Sequence, residues 1–176
     1  MRSIEPIAKF DLAFSLFCLQ HKFSYPLSRW SKAVSHTGDG HLYAVIGLVA
    51  WWFGGEIGRL FLLAGLLAFA VELPIYWTAK NLFKRRRPEE LSELVTSFIT
   101  PSDRYSLPSG HTAAAFLMAT LISHFYIDLE MFVFLWAALI AASRILLGVH
   151  FLTDVVLGAL LGIGCAQIGL SVIMGV

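Results

Sequence analysis

The sequence predicts an all-α fold, a polytopic membrane helical bundle, and three observations support that class. The 176 residues are 57% hydrophobic with a mean hydropathy of +0.72 and only 14% charged, whereas soluble domains carry about a quarter charged residues. Several apolar segments approach the roughly 20 residues needed to cross a hydrocarbon core of about 30 Å. Most polar and cationic residues gather at the ends of these segments. At this length we expect one domain, residues 1–176.

Five segments are predicted to span the membrane. Three of them have the required length, a fourth is slightly short, and the first is shorter still but adjoins glycines that can extend it. Tryptophan and tyrosine residues fall near their ends, where amphipathic aromatic side chains favour the membrane interface. In chain order the segments cover residues 41–54, 60–79, 112–127, 131–149 and 151–174.

The N-terminal part is predicted to form surface helices. The apolar patch within residues 4–22 is too short to cross a bilayer, and Lys9 and Asp11 precede it. Its aromatic residues fall on one helical face, which favours a helix lying in the membrane interface. A sixth, short span is the alternative. We therefore assign residues 1–37 to interfacial N-terminal helices and residues 38–176 to the helical core.

Five spans place the polar clusters on one face of the membrane. Of the thirteen Lys and Arg residues, only Arg59 lies on the other face. This excess of cations favours the cytoplasmic side, but some of the cations belong to the candidate site described below. The side that the site faces is therefore left open.

A dense group of cations closes the second predicted span. The stretch AKNLFKRRRPEE, residues 79–90, places five Lys or Arg residues in eight positions. Basic residues beside a membrane helix commonly fix its topology, and taken alone the stretch needs no other interpretation. Several cations, including planar Arg side chains, are also what a phosphate group needs as donors.

The stretch LPSGHTAAA, residues 107–115, predicts a helix whose N-terminus can bind an anion. Pro108 interrupts the chain, Ser109 suits the N-cap, and Gly110 lets a ligand approach the backbone. The helix is expected to begin near His111, so that free amides and the positive end of the dipole face the anion. His111 could deliver a proton. An ordinary capped helix with an interfacial histidine is the alternative.

The stretch SRILLGVHFLTD, residues 143–154, combines an arginine, a histidine and an aspartate. Arg144 lies in an apolar segment, so it is expected to face the protein interior and a partner; snorkelling to the interface is the alternative. His150 and Asp154 are four residues apart, one helical turn, and can touch if this stretch is helical. A carboxylate beside an imidazole orients it and stabilises its cation. A structural hydrogen bond at a helix start is the simpler interpretation.

Together the three clusters favour a phosphoryl-transfer site. Each falls at the end of a span on the same face. They combine cations, helix amides, a histidine paired with a carboxylate and a second histidine. These groups correspond to an oxyanion cradle, a nucleophile with its orienting group, and an acid for the leaving group.

The clusters resemble the signature of the type 2 phosphatidic acid phosphatase (PAP2) superfamily, membrane lipid phosphatases that share a core with vanadium haloperoxidases. That signature reads K-x6-RP, PSGH and SR-x5-H-x3-D. Every fixed position is present here, as Lys80, Arg87, Pro88, Pro108, Ser109, Gly110, His111, Ser143, Arg144, His150 and Asp154. The resemblance covers residues 38–174 and implies a PAP2/haloperoxidase-like core.

The resemblance also implies roles for these residues. His150 is expected to attack phosphorus and form a phosphohistidine, Asp154 to orient it, and His111 to protonate the leaving oxygen. The groups expected to hold the phosphate are Lys80, Arg87, Ser109, Gly110 and Arg144. No metal or cofactor is expected, because fixed cations replace one.

The expected function is a metal-independent lipid phosphate or diphosphate phosphatase. Undecaprenyl diphosphate, phosphatidylglycerophosphate and phosphatidic acid are all compatible substrates, because the motifs specify the phosphate and not the tail. The expected location is the bacterial inner membrane, with no nucleic acid and no obligate protein partner. A vanadate-type haloperoxidase and a non-catalytic lipid-binding membrane protein are the alternatives. The apolar spans argue against the first, and the intact catalytic positions against the second.

The turn HTGDGH suggests a metal site through His36, Asp39 and His41, but its glycines favour a flexible turn leading into the first span.

Other charged residues lie outside the signature. Arg85 and Arg86 match none of its fixed positions and are expected to contact the lipid surface or set topology. Glu72 lies inside a span, where an acidic residue indicates either a function or a structural partner.

Overall fold

The computed structural model describes residues 5–20 and 24–175. These residues form eight α-helices and one short 3-10 helix, with no β-strand among them, so the all-α prediction is confirmed. The helices are α1 (Glu5–Leu19), α2 (Ser24–His36), α3 (Gly40–Phe53), α4 (Gly55–Phe83), α5 (Pro88–Leu91), α6 (Gly110–Phe125), the 3-10 helix (Ile127–Leu129), α7 (Glu130–Leu146) and α8 (Leu152–Met174).

The five predicted spans correspond to α3, α4, α6, α7 and α8. Within residues 5–20 and 24–175, three stretches are long and apolar enough to cross a bilayer, namely Gly55–Leu91, Ile127–Leu146 and Leu152–Met174. Helix α3 has only 14 residues and α6 only 16, and at 1.5 Å per residue even α6 reaches just about 24 Å. That all five helices cross the membrane therefore stays a prediction.

Helix α6 lies at the centre of the bundle and packs against α4, α7 and α8. Its buried positions include many small residues, and Ala113, Ala115 and Ala119 are completely buried. Small side chains let helix backbones approach closely, which is a common way for helices to pack in membranes.

Two glycines of α8 make this close packing possible. A Cβ atom at Gly162 would lie 2.1 Å from the carbonyl oxygen of Ala113, and one at Gly158 would lie 2.6 Å from that of Ser109. Both distances are far below van der Waals contact, so no side chain fits at either position. Helix α8 thereby holds the first turn of α6, which carries part of the candidate site.

Helix α2 contacts the core more closely than an interfacial helix requires. It packs against α7 and buries Ser28, Ser31 and Ser35. Helix α2 therefore packs on the bundle, and the assignment of residues 1–37 to the membrane interface stays a prediction.

Helix α1 covers most of the predicted N-terminal helix and is followed by Gln20, and residues 4, 21 and 22 of the predicted range lie outside the described residues. Phe17 is 81% exposed, whereas Phe14 and Cys18 pack beside the buried residues Ile145 and Val155. One part of the apolar face of α1 therefore packs on the bundle, and the other part is exposed. Whether α1 lies in the interface or crosses the membrane stays a prediction.

Replacement of Gly162 by alanine is expected to destabilise the bundle. The added methyl group meets the Ala113 carbonyl and forces α6 away from α8, and overpacking of this kind costs about 1–3 kcal/mol. The midpoint of thermal unfolding in detergent measures the change.

Gly164→Ala is the matched control on the same helix. A Cβ atom there meets nothing within 4 Å, and alanine favours a helix by about 1 kcal/mol over glycine. Equal midpoints for the two variants would show that the bundle does not depend on this close approach.

Candidate active site

A cavity of about 1010 Å³ lies among α3, α4, α6 and the loops where the three sequence clusters meet. Five of the eight predicted site residues line it: Arg87, Gly110, His111, Arg144 and His150. The other three do not line it but are almost completely buried beside residues that do: Lys80, Ser109 and Asp154.

Two hydrogen bonds hold the clusters together. The guanidinium of Arg87 donates to the carbonyl oxygen of Val149 at 2.6 Å, which places the first cluster beside His150. The amide of Ser109 donates to the carbonyl oxygen of Asp154 at 3.0 Å, which joins the second cluster to the third. The three clusters therefore meet through direct contacts.

Lys80 and Arg87 share one partner, the carboxylate of Asp103, which the sequence motifs do not contain. Lys80 Nζ lies 2.9 Å from Asp103 Oδ1, and Arg87 Nη2 donates to the same oxygen. The hydroxyl of Tyr76 donates to Asp103 Oδ2 at 2.6 Å. This carboxylate therefore takes the place between the two cations in which the sequence predicts a phosphate oxygen. The sequence signals Asp103 only as an acidic residue in a polar loop, and its spacing from Lys80 follows none of the motifs.

The surroundings of Asp103 favour its charged form. Burial raises the pKa of this carboxyl group, but hydrogen bonds from Tyr76 and Lys80 and the charges of Lys80 and Arg87 outweigh burial and leave the pKa below its usual range. Asp103 is therefore an anion at neutral pH, and it binds the two cations in this charged form.

His150 is only 3% exposed and lines the cavity. Burial lowers the pKa of its imidazole to about 4, although Asp154 opposes the shift. The ring is therefore neutral at physiological pH, the form in which an imidazole nitrogen is a nucleophile.

The predicted contact between His150 and Asp154 is present but long. His150 Nδ1 lies 3.7 Å from Asp154 Oδ2, which exceeds a hydrogen bond, and Nδ1 has no hydrogen-bond partner among the described residues. Asp154 Oδ2 instead accepts a hydrogen bond from the amide of Phe151 at 2.9 Å. Asp154 thus caps α8 and places its charge behind the imidazole.

His111 lies in the first turn of α6 and contacts an acidic partner that the motifs do not include. Its Nε2 is 3.0 Å from Asp39 Oδ1, and Asp39 Oδ2 is 2.5 Å from His36 Nδ1. Burial and the charge of Arg144 lower the pKa of His111, against the opposing effect of Asp39.

In the part of the chain that the structure describes, no group of three or more His, Cys, Asp or Glu residues is arranged to hold a metal ion.

Helix α6 begins at Gly110, one residue before its predicted start. Ser109 takes the N-cap position, but its hydroxyl pairs with that of Thr112 at 2.9 Å and caps no backbone amide. A Cβ atom at position 110 would lie 2.9 Å from the ring of Tyr76. Packing against this ring therefore requires a glycine here, in addition to the predicted approach of a ligand.

Arg144 faces the protein interior, as predicted, and is only 5% exposed, so the snorkelling alternative is wrong. Its Nη1 donates to the hydroxyl of Ser35 at 2.6 Å. Its Nε, like that of Arg87, has no hydrogen-bond partner among the described residues. Each guanidinium group therefore has one buried donor without a partner among these residues.

The expectation that Arg85 contacts the lipid surface is wrong. Its Nη1 donates to Asp154 Oδ1 and to Thr153 Oγ1, both at 2.6 Å, and its Nη2 donates to Asp11 Oδ2 at 2.6 Å. The two carboxylates are completely buried. Arg85 therefore joins α1 to the start of α8, a contact across 74 residues that no spacing rule reveals. Arg86, in contrast, is exposed, as a surface charge should be.

The chain is similar in sequence to proteins already known. The model of the PAP2 superfamily matches residues 57–174. A probable lipid phosphate phosphatase beta of Arabidopsis thaliana is 31% identical over 60% of this chain and 62% of that protein. A putative undecaprenyl-diphosphatase of Escherichia coli, YbjG, is 32% identical over 69% of this chain and 62% of that protein. The matches thus span about three fifths of the length of these relatives.

Two solved structures share the fold. The crystal structure of LpxE from Aquifex aeolicus superposes with a TM-score of 0.76 and 31% identity, over 92% of this chain and 95% of that one. A transmembrane PAP2 type phosphatidylglycerolphosphate phosphatase from Bacillus subtilis superposes with a TM-score of 0.75 over 97% of this chain and 88% of that one. At 20% identity, this second likeness concerns the fold alone.

Replacement of Arg85 by alanine is expected to destabilise the protein by roughly 3 kcal/mol, because the buried carboxylates of Asp11 and Asp154 lose their common cation. Denaturant unfolding in detergent measures the change. Arg86→Ala is the control, since an exposed substitution usually stays within about 0.5 kcal/mol.

A double-mutant cycle makes the test specific. If Arg85 acts through Asp11, the Arg85→Ala substitution costs less in an Asp11→Asn background, because one unpaired charge is already gone. Equal stabilities of Arg85→Ala and Arg86→Ala would contradict a structural role for this ion pair.

Proposed function

The chain belongs to the PAP2 superfamily, and from this premise we propose that it hydrolyses a phosphate monoester or diphosphate on a membrane lipid. It is a multi-pass membrane protein with the helical core of that family. The observation that carries the proposal is the single cavity that a buried, neutral His150 shares with the cations Arg87 and Arg144 and with His111.

In the proposed mechanism, His150 attacks phosphorus and a phosphohistidine forms as the bond to the lipid oxygen breaks. The carboxylate of Asp154, 3.7 Å from the other ring nitrogen, stabilises the positive charge that develops on the imidazole. His111 gives its proton to the leaving oxygen. Water then attacks the phosphohistidine, His111 takes up a proton from this water, and inorganic phosphate leaves.

Fixed cations and helix amides are proposed to hold the phosphate oxygens as charge develops on them. The groups in this role are Lys80, Arg87, Ser109, Gly110 and Arg144. The incoming phosphate displaces the Asp103 carboxylate from its two cations, and the larger charge and additional oxygens of phosphate favour this exchange. Because these cations neutralise the phosphate by themselves, we propose that hydrolysis needs no metal ion.

The lipid tail is proposed to remain in the bilayer while the phosphate enters the cavity. The cavity extends from the cations to apolar residues between α3 and α4. Undecaprenyl diphosphate, phosphatidylglycerophosphate and phosphatidic acid all present the phosphate that this site can bind. We propose the bacterial inner membrane as the location, with the lipid and the bilayer as the partners.

The nucleophile is tested by replacing His150 with alanine. Phosphate release from phosphatidic acid and undecaprenyl diphosphate is measured in detergent with EDTA present. We expect the unaltered protein to hydrolyse at least one of them and His150→Ala to lose at least about a thousandfold in kcat. Loss of one phosphate-binding cation in Arg87→Ala is expected to cost about 100- to 1,000-fold. Arg86→Ala is the control, and unchanged phosphate release by His150→Ala would refute the mechanism.

The two histidines predict the pH dependence of kcat/KM. His150 attacks only when neutral, so the rate falls as the pH drops through its pKa of about 4. His111 donates only when protonated, and its pKa is lowered, so the rate falls as the pH rises through a value below about 6.5. The optimum is therefore expected to be acidic.

The variant His111→Gln distinguishes the titration of the enzyme from the titration of the substrate in this pH profile. Without His111 the alkaline limb that remains reports titration of the lipid phosphate alone. An optimum above about pH 8, or an alkaline limb identical in both proteins, would contradict the role of His111 as the acid.

A further inference from the structure

The turn between α2 and α3 carries Asp39, an acidic residue with no role in the proposed mechanism. Asp39 takes the N-cap position of α3, where an aspartate commonly accepts a hydrogen bond from a helix amide, but its side chain caps no amide here. Its Oδ1 lies 3.0 Å from His111 Nε2 and its Oδ2 lies 2.5 Å from His36 Nδ1. The usual structural role of an N-cap aspartate therefore does not account for this side chain.

Contacts with α7 fix the turn that carries Asp39. The hydroxyl of Thr37 accepts a hydrogen bond from Trp136 Nε1 at 2.9 Å. Gly38 is buried, and a Cβ atom there would lie 3.0 Å from the side chain of Ile140. The glycines of this segment favour a flexible turn, but its packing on α7 holds Asp39 in one place.

The same segment also contacts one of the proposed phosphate-binding residues. The hydroxyl of Ser35, in the last turn of α2, accepts a hydrogen bond from Arg144 Nη1 at 2.6 Å. Ser35 and Asp39 both lie outside residues 57–174, the range that the PAP2 model matches. The N-terminal part of the chain therefore contributes contacts to two site residues, Arg144 and His111, that the motifs do not reveal.

Several neighbouring elements contribute titratable or charged groups to the cavity that His111 lines. They are His36 of α2, Asp39 before α3, Tyr76 of α4, Asp103 before α6, Arg144 of α7 and His150 before α8. The charge of Arg144 disfavours the protonated ring of His111, whereas Asp39 and Asp103 favour it. Of these three groups, Asp39 is the one that also forms a hydrogen bond with the ring.

The contact with Asp39 distinguishes the two nitrogens of His111. A carboxylate only accepts hydrogen bonds, so Nε2 carries a proton in this contact, and the proton that leaves for the substrate is the one on Nδ1. We propose that Asp39 is the positioning residue of the acid: it fixes the tautomer and the orientation of His111. His36 donates to the second oxygen of Asp39 and holds the carboxylate in this orientation. This inference rests on the proposed function.

The proton transfers balance over one turnover. As the bond between phosphorus and the lipid oxygen breaks, the Nδ1–H bond of His111 also breaks, and its proton goes to this oxygen. The neutral ring keeps its Nε2–H, which still donates to Asp39. When the water oxygen attacks the phosphohistidine, one water proton goes to Nδ1 and restores the cationic ring. A carboxylate that orients an imidazole also stabilises this cation.

Histidine NMR tests the pair of Asp39 and His111 without relying on hydrolysis. The full chain, labelled with 15N in its histidines, is titrated in detergent, and the signal missing from His111→Gln identifies His111. We expect the neutral ring to keep its proton on Nε2. We expect the pKa of His111 to be lower in Asp39→Asn than in the unaltered protein, because the negative charge that favours the cation is lost.

Asp128→Asn is the matched control for this titration. It makes the same chemical change at an exposed residue that follows α6, and it should leave the pKa of His111 unchanged. A neutral ring that keeps its proton on Nδ1, or an equal pKa of His111 in Asp39→Asn and the unaltered protein, would overturn the proposal.

Kinetics test the role of Asp39 in the reaction. Values of kcat/KM are compared for 4-nitrophenyl phosphate, whose leaving group needs no proton, and for whichever of phosphatidic acid and undecaprenyl diphosphate reacts faster. General acid catalysis contributes about 10²- to 10⁴-fold, so we expect Asp39→Asn to lose at least about tenfold with the lipid. The loss with 4-nitrophenyl phosphate should be much smaller.

The pH profile for the lipid adds a readout that a merely structural role would not move. The alkaline limb reports the pKa of His111, so it should move to lower pH in Asp39→Asn. A structural defect would lower both rates by the same factor and leave the limb in place. Asp128→Asn should behave like the unaltered protein with both substrates.

A double-mutant cycle assigns the effect to His111. Asp39→Asn should cost little more in a His111→Gln background, because the residue that it positions is already absent. Additive losses, equal losses with both substrates, or faster lipid hydrolysis by Asp39→Asn would overturn the positioning role.

Lipid hydrolysis by the unaltered protein tests the proposed function separately. Hydrolysis that Asp39→Asn leaves unchanged would refute the role of Asp39 alone. The absence of phosphate release, together with the lowered pKa of His111 in Asp39→Asn, would refute the phosphatase and support the pair of Asp39 and His111.

Discussion

The buried side chain of Asp154 joins the parts of the molecule that form the site. One oxygen accepts a hydrogen bond from Arg85, which follows α4, and the other caps α8 through the amide of Phe151. Its backbone carbonyl accepts from Ser109 at the start of α6, and its carboxylate lies 3.7 Å from His150. A fully buried carboxylate persists only where donors replace its lost hydration. The donors that satisfy this carboxylate follow α4 and begin α8, and the backbone carbonyl of the same residue adds the start of α6, so the contacts of one residue assemble the site.

A related constraint accounts for the Asp103 carboxylate between Lys80 and Arg87. Two cations held close together in a poorly solvated wall repel each other unless an anion lies between them. Asp103 supplies that anion in this structure, and phosphate supplies it in the proposed complex. The cations therefore keep one arrangement in both states, which is what electrostatic stabilisation of a transition state requires.

Local spacing made part of the site predictable from the sequence. His150 and Asp154 are four residues apart, and although His150 precedes α8, the cap that Asp154 forms on the amide of Phe151 brings its carboxylate back to the histidine. Asp39, Asp103 and Arg85 act across long stretches of chain, where neither periodicity nor spacing constrains a contact. The long apolar helices were likewise evident, but α3 and α6 are too short for composition to decide whether they cross. The burial of α2 against α7 depends on packing between distant segments, which no local pattern contains.

The most direct test of this mechanism is to identify the group that carries phosphate during turnover. The protein is mixed with a lipid substrate labelled in its terminal phosphate and quenched in alkaline denaturant, in which phosphohistidine survives. Peptides are then mapped by mass spectrometry. The mechanism predicts a phosphoryl group on His150 that disappears when the substrate is exhausted and never forms in His150→Ala. Phosphate release with no phosphoryl group on His150, or with one on another residue, would contradict it.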